Sequence, residues 1–375
     1  MDWGILPMDW DYLIITPEQF VDNLKPLVDW KKSKGLTVVT KTVESIGTSV
    51  NAIRNYIRDA YEDHGINYVL LVGDTDKIPP YMFGSTPSDH YYSMLAGADI
   101  LPDVAVGRFS ASTDALVDNM VAKSVNYEKS PTPSKTWYKK ALLISDSGYF
   151  EDTSNWVNTK LTGKSFNCTK LYNSLGNANV TNVRNNVNGG VGVINYRGHG
   201  GQTGWGTSGF SNTNVHALTN GRMTPIIISP TCQTGWYDIG ECYAEAWTRY
   251  ASNSGAVCYW GSSRNSYGGY NDELCKGCWK AIYDDNIKPM GDVTNKAKLY
   301  MVGVYGTAGT AELEMYLFNL FGDPELNFWA SAPAGLVMPI PRVILWKPNL
   351  IPPKLMPDLI IKPIPLPGPG PVMIN

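Results

Sequence analysis

The chain has 375 residues, of which 43% are hydrophobic and 17% charged, a composition typical of a globular protein with a sizeable core. Its net charge of −3, from 31 basic and 34 acidic residues, gives no reason to expect nucleic acid or an anionic membrane as a partner. The longest apolar runs are too short to span a bilayer, and residues 1–11 lack the apolar core of a signal peptide.

The first part of the chain alternates between strand-like and helix-like segments. Strands are predicted at residues 12–16, 36–41, 68–72 and 104–109, and helices at 17–34, 51–63 and 113–127. The apolar run at 68–72 is closed by Gly73 and Asp74, a pattern typical of a strand buried in a parallel sheet. Residues 130–134 (SPTPS) then form a turn-rich break.

A second alternating series follows this break. Strands are predicted at residues 141–145, 170–172, 191–196, 225–229 and 256–260, and helices at 153–162, 180–187 and 241–250. This alternation predicts an α/β fold with a mostly parallel sheet covered on both faces. We divide the chain into two α/β sub-domains, 1–130 and 131–330. A Pro-rich tail, 331–375, holds 12 of the 25 prolines and is predicted to be semi-extended.

A histidine and a cysteine follow two successive predicted strands. His199 comes after residues 191–196 and Cys232 after residues 225–229. Because functional groups in open α/β sheets lie beyond the carboxyl ends of the strands, we expect both side chains at one edge. An imidazole can accept the proton of a thiol that attacks a carbonyl and then protonate the leaving amine. The backbone amides of Gly200 and Cys232 could hold the oxyanion. The alternative is a loop histidine and a buried structural thiol.

The segments around both residues have distinctive sequences. The segment around His199 reads NYRGHG (195–200) and is followed by TGWGTS (203–208), while the segment around Cys232 reads SPTC (229–232). Together these segments resemble the gingipain family. The resemblance covers about residues 11–328 in unbroken order. Further segments that carry it are DWK (29–31), YVLLVGD (68–74), VGRF (106–109), CYAEA (242–246) and FGDP (321–324).

The resemblance implies a caspase-like, three-layer α/β/α fold in two sub-domains, the second of which carries the site. It implies a cysteine endopeptidase that hydrolyses protein or peptide substrates, with Cys232 as nucleophile and His199 as its acid–base partner. Catalysis in such an enzyme requires no cofactor, although members of the family bind structural calcium. The resemblance also implies an extracellular or cell-surface location, which residues 1–11 do not support.

Family members select Arg or Lys before the scissile bond through a carboxylate that follows the strand equivalent to residues 141–145. Asp152 matches that carboxylate best, and an uncharged substrate side chain would leave it unpaired. Alternatively, Asp152 caps a helix that begins near Thr153. The family also places an aromatic lid after the strand equivalent to residues 256–260. Tyr267 aligns with this lid, and the alternative is an ordinary surface tyrosine.

Three features depart from the family pattern or match it incompletely. Arg197 stands where relatives have a small polar residue, so its charge could weaken selection for basic side chains or neutralise a pocket carboxylate. Asp146 lies near the position of an acidic partner for His199 but does not align cleanly. No ordered calcium loop is evident, and the plausible oxygen donors are Asp74, Asp99 and Asp103.

Two other functions stay open at this point. A sortase-like transpeptidase could use the same two residues, and a non-catalytic scaffold could recruit partners through the Pro-rich tail. Six cysteines are too sparse for a disulfide framework. Cys168 and Cys258 are interpreted as buried free thiols, and the pair Cys275 and Cys278 is predicted to share a helix face, with zinc or redox use as the lesser alternative. The sequence does not indicate an oligomeric state.

Overall fold

The computed structural model describes residues 9–129 and 136–331. The predicted break at 130–134 and the tail beyond residue 331 lie outside the described residues. The strands are β1 (Tyr12–Thr16), β2 (Val38–Thr42), β3 (Tyr68–Val72), β4 (Tyr81–Phe83), β5 (Thr86–Ser88), β6 (Ala105–Phe109), β7 (Lys140–Ser145), β8 (Asn167–Tyr172), β9 (Val193–Arg197), β10 (Gly200–Gly201), β11 (Gly204–Trp205), β12 (Phe210–Ser211), β13 (Ile226–Ser229), β14 (Cys258–Ser262) and β15 (Phe318–Phe321).

Helices connect most of these strands. They are α1 (Lys25–Ser33), α2 (Val43–Ile46), α3 (Val50–His64), α4 (Asp114–Lys129), α5 (Tyr149–Thr162), α6 (Val180–Asn188), α7 (Asn212–His216), α8 (Tyr243–Arg249), α9 (Gly268–Tyr283), α10 (Met290–Tyr305) and α11 (Thr310–Leu317). Short 3-10 helices cover Glu18–Phe20, Asp22–Leu24, His90–Ser93, Trp137–Lys139 and Asn173–Leu175. Within the described ranges, no helix is both long and apolar enough to cross a membrane.

The strands form one ten-stranded sheet in the order β2-β1-β3-β6-β15-β14-β13-β9-β7-β8. Its neighbours pair in parallel except β14 and β15, which are antiparallel. Two small antiparallel sheets, β10-β11-β12 and β4-β5, lie outside it. The predicted α/β fold with a mostly parallel sheet is therefore confirmed. The division into two sub-domains near residue 130 stays a prediction.

Alternate side chains of the strands pack into hydrophobic cores on the two faces of the sheet. In β7, Ala141 and Leu143 pack in one buried cluster with residues of α5, α9 and α10, whereas Leu142 and Ile144 pack in another with α6 and α8. All four side chains are fully buried, as expected for a parallel strand between two helical layers. Both faces of this half of the sheet are therefore covered by helices.

Two predicted helices begin at other residues than expected. The helix predicted at 17–34 starts only at Lys25, because Pro26 has no amide hydrogen to donate to the preceding turn, and residues 18–24 form two 3-10 turns instead. The helix predicted from Thr153 already begins at Tyr149, directly after Gly148.

Candidate active site

Strands β9 and β13 are direct neighbours, as the sequence predicts for the segments that precede His199 and Cys232. Val193 pairs with Ile226, and Asn195 pairs with Ile228, in parallel register. The loops that leave these strands therefore start at the same edge of the sheet. The Thr231 hydroxyl joins them by donating a hydrogen bond to the Gly198 carbonyl at 2.5 Å.

Gly200 packs directly against the backbone of Cys232. A Cβ atom at Gly200 would lie 2.4 Å from the Cys232 carbonyl oxygen and 2.7 Å from Thr231 Cγ2. Contacts this short leave no room for a side chain, so only glycine allows the two loops to approach so closely. The next glycine, Gly201, has nothing within 4 Å of an added Cβ.

The Cys232 sulfur is buried against the loop that follows β14. Cys232 is 7% exposed, and Ser266 faces it with its amide nitrogen 3.4 Å and its carbonyl oxygen 3.5 Å from Sγ. The next residue, Gln233, has a positive φ of 62° and donates its amide hydrogen to the Arg264 carbonyl at 2.9 Å. This turn reverses the chain immediately after Cys232 and fixes it to the β14 loop.

His199 is the exposed member of the pair. Its side chain is 45% exposed, and its Nε2 lies 4.0 Å from Asp146 Oδ2. Asp146 is held by Ser147 and Asn173, which donate to its Oδ1 at 2.8 Å and 2.9 Å. The ring of Phe150 meets the imidazole edge-on at 5.3 Å between centroids. The structure thus places a carboxylate beside His199, although the sequence left its position unclear.

Arg197 is fully buried and paired with a carboxylate that the sequence analysis missed. Its Nη2 and Nε lie 2.5 Å and 3.1 Å from Oδ1 of Asp272, in α9. It also donates to the carbonyls of Pro230 and Gly268. Because Asp272 balances the guanidinium, Arg197 does not neutralise Asp152. Asp272 carries no signal in the sequence, since its role depends on a contact across the fold.

Asp152 lies in the first turns of α5 with its side chain exposed. It does not cap this helix, whose first residue is Tyr149 and whose N-cap is Gly148, so the capping interpretation is wrong. Asp152 takes part in none of the ion pairs formed among residues 9–129 and 136–331. Its neighbour Tyr149 is 44% exposed, and the loss of solvation raises the pKa of that phenol to about 12.

Tyr267 is the N-cap residue of α9 and is half-buried. Its amide donates to Glu314 Oε1 at 2.7 Å, and its ring lies 6.4 Å from that of Tyr270. Burial raises the pKa of Glu314 to about 8. Glu314 Oε2 is buried and has no hydrogen-bond partner in the described part of the chain, consistent with a protonated carboxyl. Sequence reasoning did not find this residue.

The expected calcium donors do not form one site. Asp74 pairs with Arg249 at 3.1 Å, and Asp103 Oδ2 accepts two backbone amides. Among the residues described, the three acidic side chains close enough to share one ion are instead Glu128, Asp323 and Glu325.

An ammonium group already lies at the centre of this acidic group. Lys31 Nζ is 2.5–3.0 Å from all three carboxylates. Burial opposes its charge, but the three carboxylates raise the pKa of Lys31 well above its usual value. These residues therefore do not fit a calcium ion.

The remaining cysteines have structural surroundings. Four of them are fully buried, Cys242, Cys258, Cys275 and Cys278, whereas Cys168 is only half-buried. Burial raises the pKa of Cys275 to about 12, and none of these thiols belongs to a metal-sized cluster among the described residues. The expectation that Cys275 and Cys278 share a helix face is confirmed, since they lie three residues apart in α9 and both are fully buried.

Comparisons with known proteins identify the family to which the chain is similar. The family model "Peptidase family C25" matches residues 6–329. Gingipain R2 of Porphyromonas gingivalis is 30% identical over 361 residues, which covers 88% of this chain and 48% of that protein. A Lys-gingipain of the same organism is 32% identical over 274 residues, which covers 68% of this chain and 16% of that protein. The chain thus spans about half the length, or less, of these curated relatives.

A solved structure has the same fold. The crystal structure of the Arg specific cysteine proteinase gingipain R superposes with a TM-score of 0.82 at 28% identity, and the match covers 87% of this chain and 79% of that chain. This match confirms the fold that the sequence resemblance implied.

Proposed function

Because the chain belongs to peptidase family C25, we propose that it is a cysteine endopeptidase with Cys232 as nucleophile and His199 as its acid–base partner. The observation that carries this proposal is the pairing of β9 with β13, which starts both catalytic loops at one sheet edge. The contact of Gly200 with the Cys232 backbone supports it.

In the proposed reaction, His199 accepts the thiol proton and the Cys232 thiolate attacks the scissile carbonyl carbon. With Nε2 turned toward Asp146, the other ring nitrogen, Nδ1, exchanges protons with the sulfur and the leaving amine. The amides of Gly200 and Cys232 hold the oxyanion. Expulsion of the amine leaves a thioester, and His199 then removes a proton from the water that hydrolyses it.

For substrate choice, we propose that Asp152 pairs with an Arg or Lys side chain before the scissile bond and that Tyr267 lies over that side chain. The exposed carboxylate of Asp152, which no described basic group neutralises, supports this assignment. One named relative is Arg specific and another is a Lys-gingipain, so both cations are candidates. By the same resemblance, we propose an extracellular or cell-surface location, which cell fractionation would test.

The test is a fluorescent peptide series with Arg, Lys or an uncharged residue before the scissile bond. We expect cleavage after Arg or Lys in the wild type and none with Cys232→Ala. Wild-type rates with Cys232→Ala would refute the nucleophile. An added amine acceptor distinguishes hydrolysis from acyl transfer, the alternative reaction of the same two residues.

Substrate selection is tested separately. Asp152→Asn should lower kcat/KM for basic substrates by more than about tenfold, equivalent to a charge-assisted hydrogen bond of ~1.5–3 kcal/mol. Glu151→Gln, one residue away on the same helix, is the control and should leave the preference unchanged. An unchanged preference with Asp152→Asn would exclude Asp152 from the pocket.

A further inference from the structure

Ser266 surrounds the sulfur of Cys232 with three polar atoms. Its amide nitrogen, carbonyl oxygen and hydroxyl oxygen lie 3.4, 3.5 and 3.8 Å from Sγ. Both residues are buried, with Ser266 only 4% exposed. Because water has little access to this side of the sulfur, the polar groups of Ser266 strongly affect the stability of a negative charge on it.

The three atoms suit the two protonation states of the sulfur. As a thiol, Cys232 donates its S–H to the Ser266 carbonyl. As a thiolate, it accepts hydrogen bonds from the Ser266 amide and hydroxyl, and hydrogen bonds to a charged acceptor are stronger than those to a neutral one.

The direction of the Ser266 hydroxyl follows from its other partner. Asn271 Nδ2 donates to Ser266 Oγ at 2.8 Å, so this contact uses the oxygen as acceptor and leaves the hydroxyl hydrogen available to the sulfur. Asn271 is itself buried in the first turn of α9, and its backbone amide donates to the Tyr267 carbonyl at 2.9 Å.

The loop that carries Ser266 is fixed on both sides. The amide of Tyr267, the next residue, donates to Glu314, and the Arg264 carbonyl accepts from Gln233. The hydroxyl of Ser262 also donates to the Arg264 carbonyl at 2.7 Å. Ser266 is therefore held against the sulfur before any substrate binds, as a preorganised site requires.

We propose that Ser266 is a third catalytic residue, whose hydroxyl, oriented by Asn271, stabilises the Cys232 thiolate. This inference rests on the proposed function only in taking Cys232 as the nucleophile. The proton transfer itself is unchanged: His199 takes the thiol proton, and Ser266 gains a hydrogen bond to the sulfur as the negative charge forms there.

The test measures the thiol directly. The rate of alkylation of Cys232 by iodoacetamide is followed from about pH 4 to 9 by mass spectrometry of the peptide that contains it. With Ser266→Ala, we expect the midpoint of the curve of alkylation rate against pH to rise by about 0.5–1 pH unit. On the acid side of this midpoint, alkylation should slow by about three- to tenfold. Ser266→Thr keeps a hydroxyl, so its midpoint should lie close to that of the wild type.

Ser263→Ala is the matched control, because it removes a buried hydroxyl of the same loop that donates to Pro87 at 2.8 Å rather than to the sulfur. A Ser266→Ala midpoint equal to the wild type would overturn the proposal. If Ser266→Ala does not fold, Asn271→Ser is measured instead, because it removes the side-chain amide that orients the Ser266 hydroxyl. A midpoint of Asn271→Ser equal to that of the wild type would also overturn the proposal. Alkylation does not require peptide cleavage, so failure of the endopeptidase assignment is recognised separately in the peptide assay.

Discussion

Replacing Arg197 by methionine removes a buried charge from beneath the proposed active site. The guanidinium is fully buried and makes two contacts of 2.5 Å and 3.1 Å with Asp272, whose side chain is 18% exposed. Removing one partner of a buried ion pair typically costs about 3–5 kcal/mol, because the other charge is left uncompensated. Asp272 keeps some solvent and its hydrogen bond from Thr153, so we expect about 3 kcal/mol.

A double variant, Arg197→Met with Asp272→Asn, separates charge burial from the other contacts. It leaves no unpaired charge, so we expect it to recover about 1–2 kcal/mol relative to the single variant. We expect both variants to have lower peptidase activity than the wild type. In each of them the Pro230 carbonyl, two residues before Cys232, loses the hydrogen-bond donor that Arg197 provides. Stability and activity thus respond differently to the second substitution.

The assay is urea denaturation followed by tryptophan fluorescence, with kcat/KM measured on the same samples. Arg58→Met is the control, because the Arg58–Asp59 pair is exposed by 37% and 59% and its loss should change stability by less than about 0.5 kcal/mol. An Arg197→Met variant within about 1 kcal/mol of wild type, or a double variant as unstable as the single, would refute the reasoning.

Three further predictions concern the same region. Gly200→Ala should lower kcat/KM by more than about tenfold because the new Cβ meets the Cys232 carbonyl at 2.4 Å, and a mild effect would contradict this close packing. Asp146→Asn should lower kcat by about three- to tenfold by weakening the orientation of His199, as steady-state kinetics would show. Glu314 binds its proton up to about pH 8 when folded and up to about 4.5 when unfolded, so the free energy of unfolding should fall with rising pH between these values, by up to about 1.4 kcal/mol per pH unit. Glu314→Gln should remove this contribution to the slope in urea titrations at several pH values, and an unaltered slope would show that the group is not protonated.

The placement of His199 and Cys232 at one edge of the sheet could be predicted because the sequence signal for it is local. A strand-like run followed by a polar side chain locates His199 and Cys232 at strand ends, and the parallel alternation places those ends at one edge. The pairing of β9 with β13 confirms that these strands are neighbours. The catalytic roles themselves stay predictions until they are measured.

Other parts of the site could not be predicted from local patterns. Asp272 and Ser266 follow β14 in the loop and first turns of α9, where polar residues are common, and their significance depends on contacts with Arg197 and Cys232. The start of α5 was misplaced because Gly148 and Tyr149 carry no typical N-cap signal, and this error produced the capping interpretation of Asp152.

The position of β15 has a consequence for synthesis on the ribosome. This strand is the last along the described chain, yet it lies in the middle of the sheet between β6 and β14. Until residues 318–321 have been translated, β6 and β14 each have an unpaired edge. Unpaired strand edges are sites of intermolecular aggregation. Soon after β15, Asp323 accepts a hydrogen bond from Tyr12 in the first strand at 2.7 Å. The nascent chain thus completes its sheet late, and a stop codon before residue 318 should yield aggregates rather than a smaller folded protein.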